Sequence, residues 1–445
     1  MTLNLFNLLT SYLSIYFFAS FLIHNIKEIN APGGYNFLVL FLVSLFVVFI
    51  SGNLFKYLKK INYSFLFLAL FITYFILITF ITSFDISFLK QVTIGTTGGV
   101  LFGLICGIGC SLIIAKIYEI SIKNRMLRNS SLVLYFIFLL ITLANTFYAF
   151  ETNLQNVRSD IFLIRNQLGF YQRPGSFMFI IYMILSSIGA MQITISKKIS
   201  FMSLFFGFLL MTILALILMM MSQLIGSNSG TVSIFGFLII NFIFIFIIIF
   251  NKDFLNRMKI INFSNLIFSN LGIKYFFYFP MIILTLLFLL SLLLDYLGIN
   301  LESLRIVGFG STFTSIINRL EMLENFPTHL NYSPIFGNMI VDKITTGEGS
   351  YIHSLLSIIT HLGIIGSFIF ILFLSTLYSN LRFSGTISNL QDHIYNNKIY
   401  LIYRILTVTT VIVYCLFSSF FTWLPLWFAF GFFGLNFIKQ DEKNL

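Results

Sequence analysis

The chain has 445 residues, 58% of them hydrophobic and 9% charged, with a mean hydropathy of +0.97. A soluble domain keeps about a quarter of its residues charged, so soluble-enzyme and nucleic-acid-binding readings are excluded and the chain reads as a polytopic membrane protein. The formal net charge of +11 would suggest an anionic partner in a soluble protein; in a membrane chain it first records orientation.

A spanning helix needs about 20 predominantly apolar residues, and lipid admits only helices or closed barrels. The apolar runs are continuous and do not alternate, which predicts an all-α integral membrane fold, read as one polytopic membrane domain over 1–445. In chain order the predicted spans are 5–23, 36–50, 65–80, 94–114, 132–148, 177–195, 204–221, 232–250, 276–294, 355–374, 402–420 and 424–437. The first lacks a basic flank and a small-residue cleavage site, so it is expected to remain as a helix. The fourth carries Gly95, Gly99, Gly103 and Gly107 at four-residue spacing, a stripe that lets another helix backbone approach closely. Packing is the expected use of that stripe, with a substrate groove as the alternative. Cys106, Cys110 and Cys415 sit inside apolar runs and read as packing residues. Only a short break around Thr422 and Trp423 separates the last two spans before Pro425.

Lys and Arg gather on the cytoplasmic side of membrane proteins. With Met1 cytoplasmic, the inner loops hold 18 of the 26 basic residues and 5 of the 15 acids. Both termini are then cytoplasmic and two long loops lie outside, 151–176 and 295–352. Loops of such length are usually functional or disordered. Within the larger, 314–325 places Ile316, Ile317, Leu320 and Leu323 at the spacing of an amphipathic helix.

All five arginines of the outer side fall in these two loops: Arg158, Arg165 and Arg173 in the first, Arg305 and Arg319 in the second. A guanidinium grips phosphate bidentately where an ammonium acts as a point charge, so the set points to a polyphosphate ligand. For any one of them, interfacial anchoring or pairing with Glu151, Asp160, Glu302 or Glu321 is the plainer alternative. His353 directly precedes the tenth span, where the positive end of a helix favours a neutral imidazole and attracts anions. It is placed to act as a general base or to hydrogen-bond a phosphate-linked sugar. His361 lies within that span, where an ionisable group is a functional candidate unless one helical hydrogen bond satisfies it. His329, beside Pro327, is a further residue that could line a site. No outer loop carries paired aspartates and no His/Cys cluster has metal-ligand spacing, so a mechanism without metal or cofactor is expected.

From the eighth span onward the chain resembles the O-antigen ligase and polymerase superfamily of bacterial envelope glycan assembly. His353-Ser354 followed by Leu362-Gly363-Ile364-Ile365-Gly366 is similar to the family's His-Asn/Ser motif and its later Gly-x-x-Gly. Upstream, Arg319 and Ser333-Pro334-Ile335-Phe336-Gly337 resemble the family's loop arginine and its Pro-containing turn, and Tyr171-Gln172-Arg173 resembles a tyrosine-glutamine element of the polymerases. One departure stands out: where many members read Ser-Arg-Gly, this chain has Ser227-Asn228-Ser229-Gly230. Either that role is dispensable or an arginine of the first outer loop fills it.

The resemblance implies a glycosyltransferase of the bacterial inner membrane that acts at its periplasmic face on an undecaprenyl-diphosphate-linked oligosaccharide. His353 and Arg319 would be catalytic, with Arg158, Arg165, Arg173, Tyr171 and Arg305 binding diphosphate and glycan. The implied partners are the lipid-linked oligosaccharide as donor and acceptor, membrane lipid and a chain-length regulator protein. A polymerase adds the glycan to another lipid-linked repeat, whereas a ligase adds it to lipid A-core. From a different class, a flippase for the same lipid would also suit twelve spans, although its ionisable groups would be expected near the midplane of the helices.

Overall fold

The computed structural model describes residue 45 and residues 63–82, 98–123, 172–195, 201–224, 228–250, 321–346, 354–383, 398–418 and 421–435. Among the described residues every regular element is helical, in keeping with the all-α expectation. In chain order these are α1 (Tyr63–Thr82), α2 (Gly98–Lys123), α3 (Gln172–Ile195), α4 (Phe201–Leu224), α5 (Asn228–Phe250), α6 (Phe326–Tyr332), α7 (Val341–Thr345), α8 (Ser357–Phe383), α9 (Lys398–Ser418) and α10 (Leu424–Ala429), the last running into a π-helical turn, Phe430–Gly434. Three stretches are long and apolar enough to cross a membrane: Tyr63–Thr82, Asn228–Ile245 and Ser357–Ser379. The predicted spans at 65–80, 177–195, 204–221 and 232–250 fall inside α1, α3, α4 and α5, while those at 94–114, 355–374, 402–420 and 424–437 overlap α2, α8, α9 and α10. The spans at 5–23, 132–148 and 276–294, and all of 36–50 except Leu45, lie outside the described residues. So do both long loops, apart from 172–176 at the start of α3 and 321–346.

The chain divides into two compact units, Met1–Arg158 with Ile316–Ser384 and Thr407–Leu445, and Ser159–Ser315 with Gly385–Leu406. In the first unit the helices meet through small residues and aromatic rings, because apolar surface gains nothing in lipid from being hidden and close van der Waals contact must hold helices together. Trp427 is fully buried. Its indole stacks on Phe71 (5.5 Å between ring centres) and Phe373 (6.3 Å) and meets Phe430 edge-on at 5.4 Å. The indole N–H donates to Phe421 O at 2.7 Å, which satisfies a donor that lipid cannot. The glycine stripe of α2 is spent on this packing. A Cβ on Gly103 would stand 2.8 Å from Leu424 O, one on Gly107 would run into Phe428 O, and one on Gly431 of the π-helical turn would stand 2.6 Å from Leu104 O. Backbone therefore lies on backbone, as small-residue stripes permit. Gly95 lies outside the described residues.

In the second unit α3, α4 and α5 pack with the first part of α9 around a polar knot. Asn241 of α5 donates to Ser186 Oγ at 2.5 Å and to Tyr182 Oη at 3.3 Å, both on α3, and accepts from Tyr403 Oη at 3.3 Å. Ser187 Oγ and Tyr400 Oη share a hydrogen bond of 2.9 Å. Where α4 turns into α5, Gln223 Nε2 donates to Thr231 Oγ1 at 2.7 Å and Asn228 Oδ1 at 3.2 Å. The first turns of α3 and α5 touch, since a Cβ on Gly230 would stand 2.9 Å from Gly175 Cα.

Candidate functional site

Residues 321–346, the described part of the larger predicted loop, fold onto a break in α8. After α6, which has Pro327 in its first turn where a missing N–H is harmless, the chain turns over Ser333-Pro334-Ile335-Phe336-Gly337. Gly337 N donates to Ser333 O at 2.9 Å, and Gly337 has φ +78°. The sequence predicts one continuous helix at 355–374; instead Gly363, the seventh residue of α8, has φ +66° and ψ −171°. That region is open only to glycine. The break would leave backbone groups unsatisfied, and the turn supplies partners for them. Ile364 N donates to Pro334 O at 2.9 Å, Ile365 N to Ile335 O at 3.2 Å, and Asn338 N to Thr360 O at 3.3 Å. From α1, Tyr74 Oη donates to Phe336 O at 2.9 Å. A Cβ on Gly337 would strike Gly363 N and Leu362 C, and a Cβ on Gly363 would strike Ile335 O. The two segments interlock through their glycines.

Beyond the turn, Asn338 Oδ1 accepts from Ile340 N at 2.9 Å and α7 follows, which brings Asp342 back towards α6 and α8. Three titratable groups gather here. His329 of α6 is fully buried, with Nε2 2.9 Å from Thr346 Oγ1. Because the Thr346 hydroxyl donates to Asp342 O at 3.1 Å, Nε2 is the protonated nitrogen of His329 by this hydrogen-bond assignment. Its Nδ1 is buried with no hydrogen-bond partner. Burial holds the His329 imidazole below the usual histidine range; the Asp342 carboxylate opposes that shift and His361 adds to it. His361, on the first turns of α8, has Nδ1 2.9 Å from Ser357 O and 3.1 Å from Thr360 Oγ1. A carbonyl only accepts, so Nδ1 carries the proton and Nε2 faces Asp342 Oδ1 at 3.7 Å. The helical hydrogen bond anticipated for His361 is present, and a carboxylate stands on the ring's other side. The His361 side chain is 3% exposed and that of Asp342 16%.

The residue after His353 is fixed. Ser354 Oγ donates to Leu416 O at 2.6 Å and accepts from Leu356 N at 3.2 Å, while Leu355 N donates to Cys415 O at 2.8 Å. Six of the predicted site residues, Arg158, Arg165, Tyr171, Arg305, Arg319 and His353, lie outside the described residues, so the expected convergence of the arginines on His353 concerns positions not described. Arg173 is the second residue of α3, in the other unit, and its backbone turn adjoins Gly230 through Gly175. Sequence reasoning passed over Asp342, because nothing in the linear order ties it to His361; the turn between them does. Of the predicted amphipathic segment at 314–325, residues 321–324 are helical and Asn325 is a turn; the rest lies outside the described residues.

Among the described residues no group of three or more His, Cys, Asp or Glu is placed to hold a metal ion. An imidazole with one nitrogen tied to a carbonyl and the other turned to a carboxylate is an arrangement that takes up and releases protons. No protein-family model matches the chain, and no curated protein or solved structure matches it significantly.

Proposed function

We propose that this chain is an O-antigen, or surface polysaccharide, polymerase. It is read as a twelve-span glycosyltransferase with both termini cytoplasmic that joins polyprenyl-diphosphate-linked repeat units at the outer face of the bacterial inner membrane. The observation that supports this reading is the interlock of Gly337 with Gly363. Two of the segments that carry the resemblance, Ser333 to Gly337 and Leu362 to Gly366, start 29 residues apart and are bonded backbone to backbone.

On this reading the donor sugar is bound through a diphosphate, and the outer arginines neutralise the charge that grows on it as the glycosidic bond breaks. A hydroxyl of the acceptor sugar attacks the anomeric carbon directly and inverts it. His353 and Arg319 work at the reacting centre, and Arg158, Arg165, Arg173, Tyr171 and Arg305 hold diphosphate and glycan. Gly175, two residues after Arg173, lies against Gly230, in the stretch where the family has an arginine that this chain lacks. Arg173 is therefore the arginine assigned to that role.

The test is purified protein in liposomes with a polyprenyl-diphosphate-linked repeat unit and nothing else. Chain growth supports the polymerase; growth only after lipid A-core is added means a ligase. Glycan carried across the bilayer without elongation means a flippase. His353→Ala and Arg319→Ala are expected to abolish elongation while substrate still reaches the outside, and full-length polymer from both variants overturns the mechanism.

A further inference from the structure

The mechanism above leaves one step without an owner: the acceptor hydroxyl must lose its proton as it attacks. We propose that Asp342 is the group that receives this proton and that His361, directly behind it, stores it, so that His353 orients substrate and is not the base. The inference rests on the polymerase reading for its substrate, and its geometry is that of the loop and the broken helix.

Four observations carry it. First, the pair has one accessible end and one hidden end: the Asp342 side chain is 16% exposed and the His361 side chain 3%, so only the carboxylate can meet a sugar hydroxyl. Second, the tautomer of His361 is fixed by Ser357 O at 2.9 Å from Nδ1, which turns the proton-accepting nitrogen of the neutral ring towards Asp342. Third, Asp342 Oδ1 and His361 Nε2 stand 3.7 Å apart, about half an ångström beyond hydrogen-bond reach, so a small side-chain rotation of Asp342 completes the path. Fourth, His329 faces the same pair from α6 and is buried, with Nδ1 unpartnered. Burial holds it below the usual histidine range, which makes it a poorer acceptor for the proton than an ordinary imidazole.

The step balances. The O–H bond of the acceptor hydroxyl breaks and its proton passes to an Asp342 carboxylate oxygen. The oxygen's electron pair forms the new bond to the anomeric carbon, and the pair of the old glycosidic bond leaves on the diphosphate. The proton then moves from Asp342 to Nε2 of His361, leaving a carboxylate–imidazolium pair that discharges to water before the next cycle. A carboxylate alone is a weak base at neutral pH and an imidazole is by its chemistry a stronger one; the relay sets a second proton acceptor behind the exposed oxygen. Among the described residues, His329 from α6 is a titratable group that faces the pair on α7 and α8, and Tyr74 of α1 is engaged by Phe336 O.

The test uses the full-length protein in liposomes with a polyprenyl-diphosphate-linked repeat unit, with initial elongation rates measured from pH 5 to 8. Asp342→Asn is expected to lower kcat at least 100-fold with KM nearly unchanged, which is the usual worth of a positioned base, and to abolish the acid limb of the profile. His361→Gln leaves Asp342 with the basicity of an ordinary carboxylate, so kcat falls about tenfold and the acid limb moves towards lower pH. Asp342→Glu is expected to recover part of the rate, which a merely structural role would not give. An Asp342→Asn enzyme within threefold of wild type, or a His361→Gln enzyme with an unmoved acid limb, overturns the proposal. If wild-type protein elongates nothing, the polymerase reading fails, and the pair is judged separately by NMR titration of isotope-labelled histidine, of which the chain has 5. A His361 titration curve identical in wild type and Asp342→Asn then overturns the pairing. A variant that does not fold is read through Asp342→Glu and the wild-type titration.

Discussion

Replacing Gly363 with Ala tests the interlock from which the candidate site is built. With φ +66° and ψ −171°, an alanine would occupy a backbone region that costs about 1–3 kcal/mol for a residue with a Cβ. The new methyl would also run into Ile335 O and stand 2.5 Å from Gly337 N. Neither neighbour is the movable end of a side chain, so the turn itself must withdraw. Withdrawal breaks the bonds from Ile364 N to Pro334 O and from Ile365 N to Ile335 O. Each is worth about 1 kcal/mol net, and a buried N–H left without an acceptor costs about 1–3 kcal/mol. The sum is on the order of 4 kcal/mol, a melting shift of about 10 °C at the few degrees per kcal/mol of a larger domain. The assay is thermal unfolding in detergent, followed by size-exclusion chromatography. Gly189→Ala and Gly236→Ala are the controls, because a Cβ at either position meets nothing within 4 Å and alanine is the better helix former by about 1 kcal/mol. If Gly363→Ala melts within about 2 °C of wild type while the controls are neutral, the strained, interlocked geometry is wrong.

Gly107→Val is expected to force α2 away from Phe428 and Phe432, whose backbone its Cβ would strike; a loss of at least about 3 kcal/mol should appear as aggregation on size exclusion, whereas Gly207→Val, with open space around it, should elute as wild type. Asn241→Leu removes the centre of the knot formed with Tyr182, Ser186 and Tyr403, for a loss of about 2 kcal/mol, and a double-mutant cycle with Tyr403→Phe should give a coupling of about 0.5–1.5 kcal/mol; strictly additive losses would contradict the shared bond. His329 has a folded-state pKa below its unfolded value, chiefly through burial, so as pH falls through the ordinary histidine value near 6.5 the unfolded chain takes the proton first and stability drops until the folded-state pKa is passed. Thermal unfolding at pH 7.5 and pH 5 should show a smaller pH effect in His329→Gln than in wild type, and equal effects would refute the assignment.

The helices were legible from the sequence because their signal is one of composition, and composition survives any arrangement in space. Thus 65–80, 177–195, 204–221 and 232–250 were each foreseen inside a helix that the structure draws somewhat longer. The stripe of Gly99, Gly103 and Gly107 was legible as well, since spacing alone says that one face is bare, although not that α10 and its π-helical turn would fill it. What stayed hidden was the break at Gly363. Its neighbours Leu362, Ile364 and Ile365 are good helical residues, and one glycine in such a run costs only about 1 kcal/mol if the helix continues. The helix yields because another segment satisfies what it gives up, and that partner, Pro334 to Gly337, lies far back in the chain. Asp342 was missed for the same reason: it becomes chemically interesting only after Gly337 has turned the chain onto α8.

A chain break inside an apolar helix is costly in lipid unless every freed amide finds an acceptor, and this requirement links the strain to the site. Because Pro334 O and Ile335 O are the acceptors for Ile364 and Ile365, the turn cannot drift without exposing them, and Tyr74 holds it from a third side at the twelfth residue of α1. Residues a few positions on either side inherit that fixity: His361 lies two residues before the break and Asp342 five residues after Gly337. A pair 3.7 Å apart, one small side-chain rotation short of a hydrogen bond, can serve as a proton path only if the backbones that carry its two halves keep their separation through many cycles. Two side chains on a free loop would lose that separation to conformational entropy. The glycine interlock supplies the rigidity that the short helices α6 and α7 could not provide alone, which is why Gly363→Ala should damage elongation even under conditions where the protein still folds.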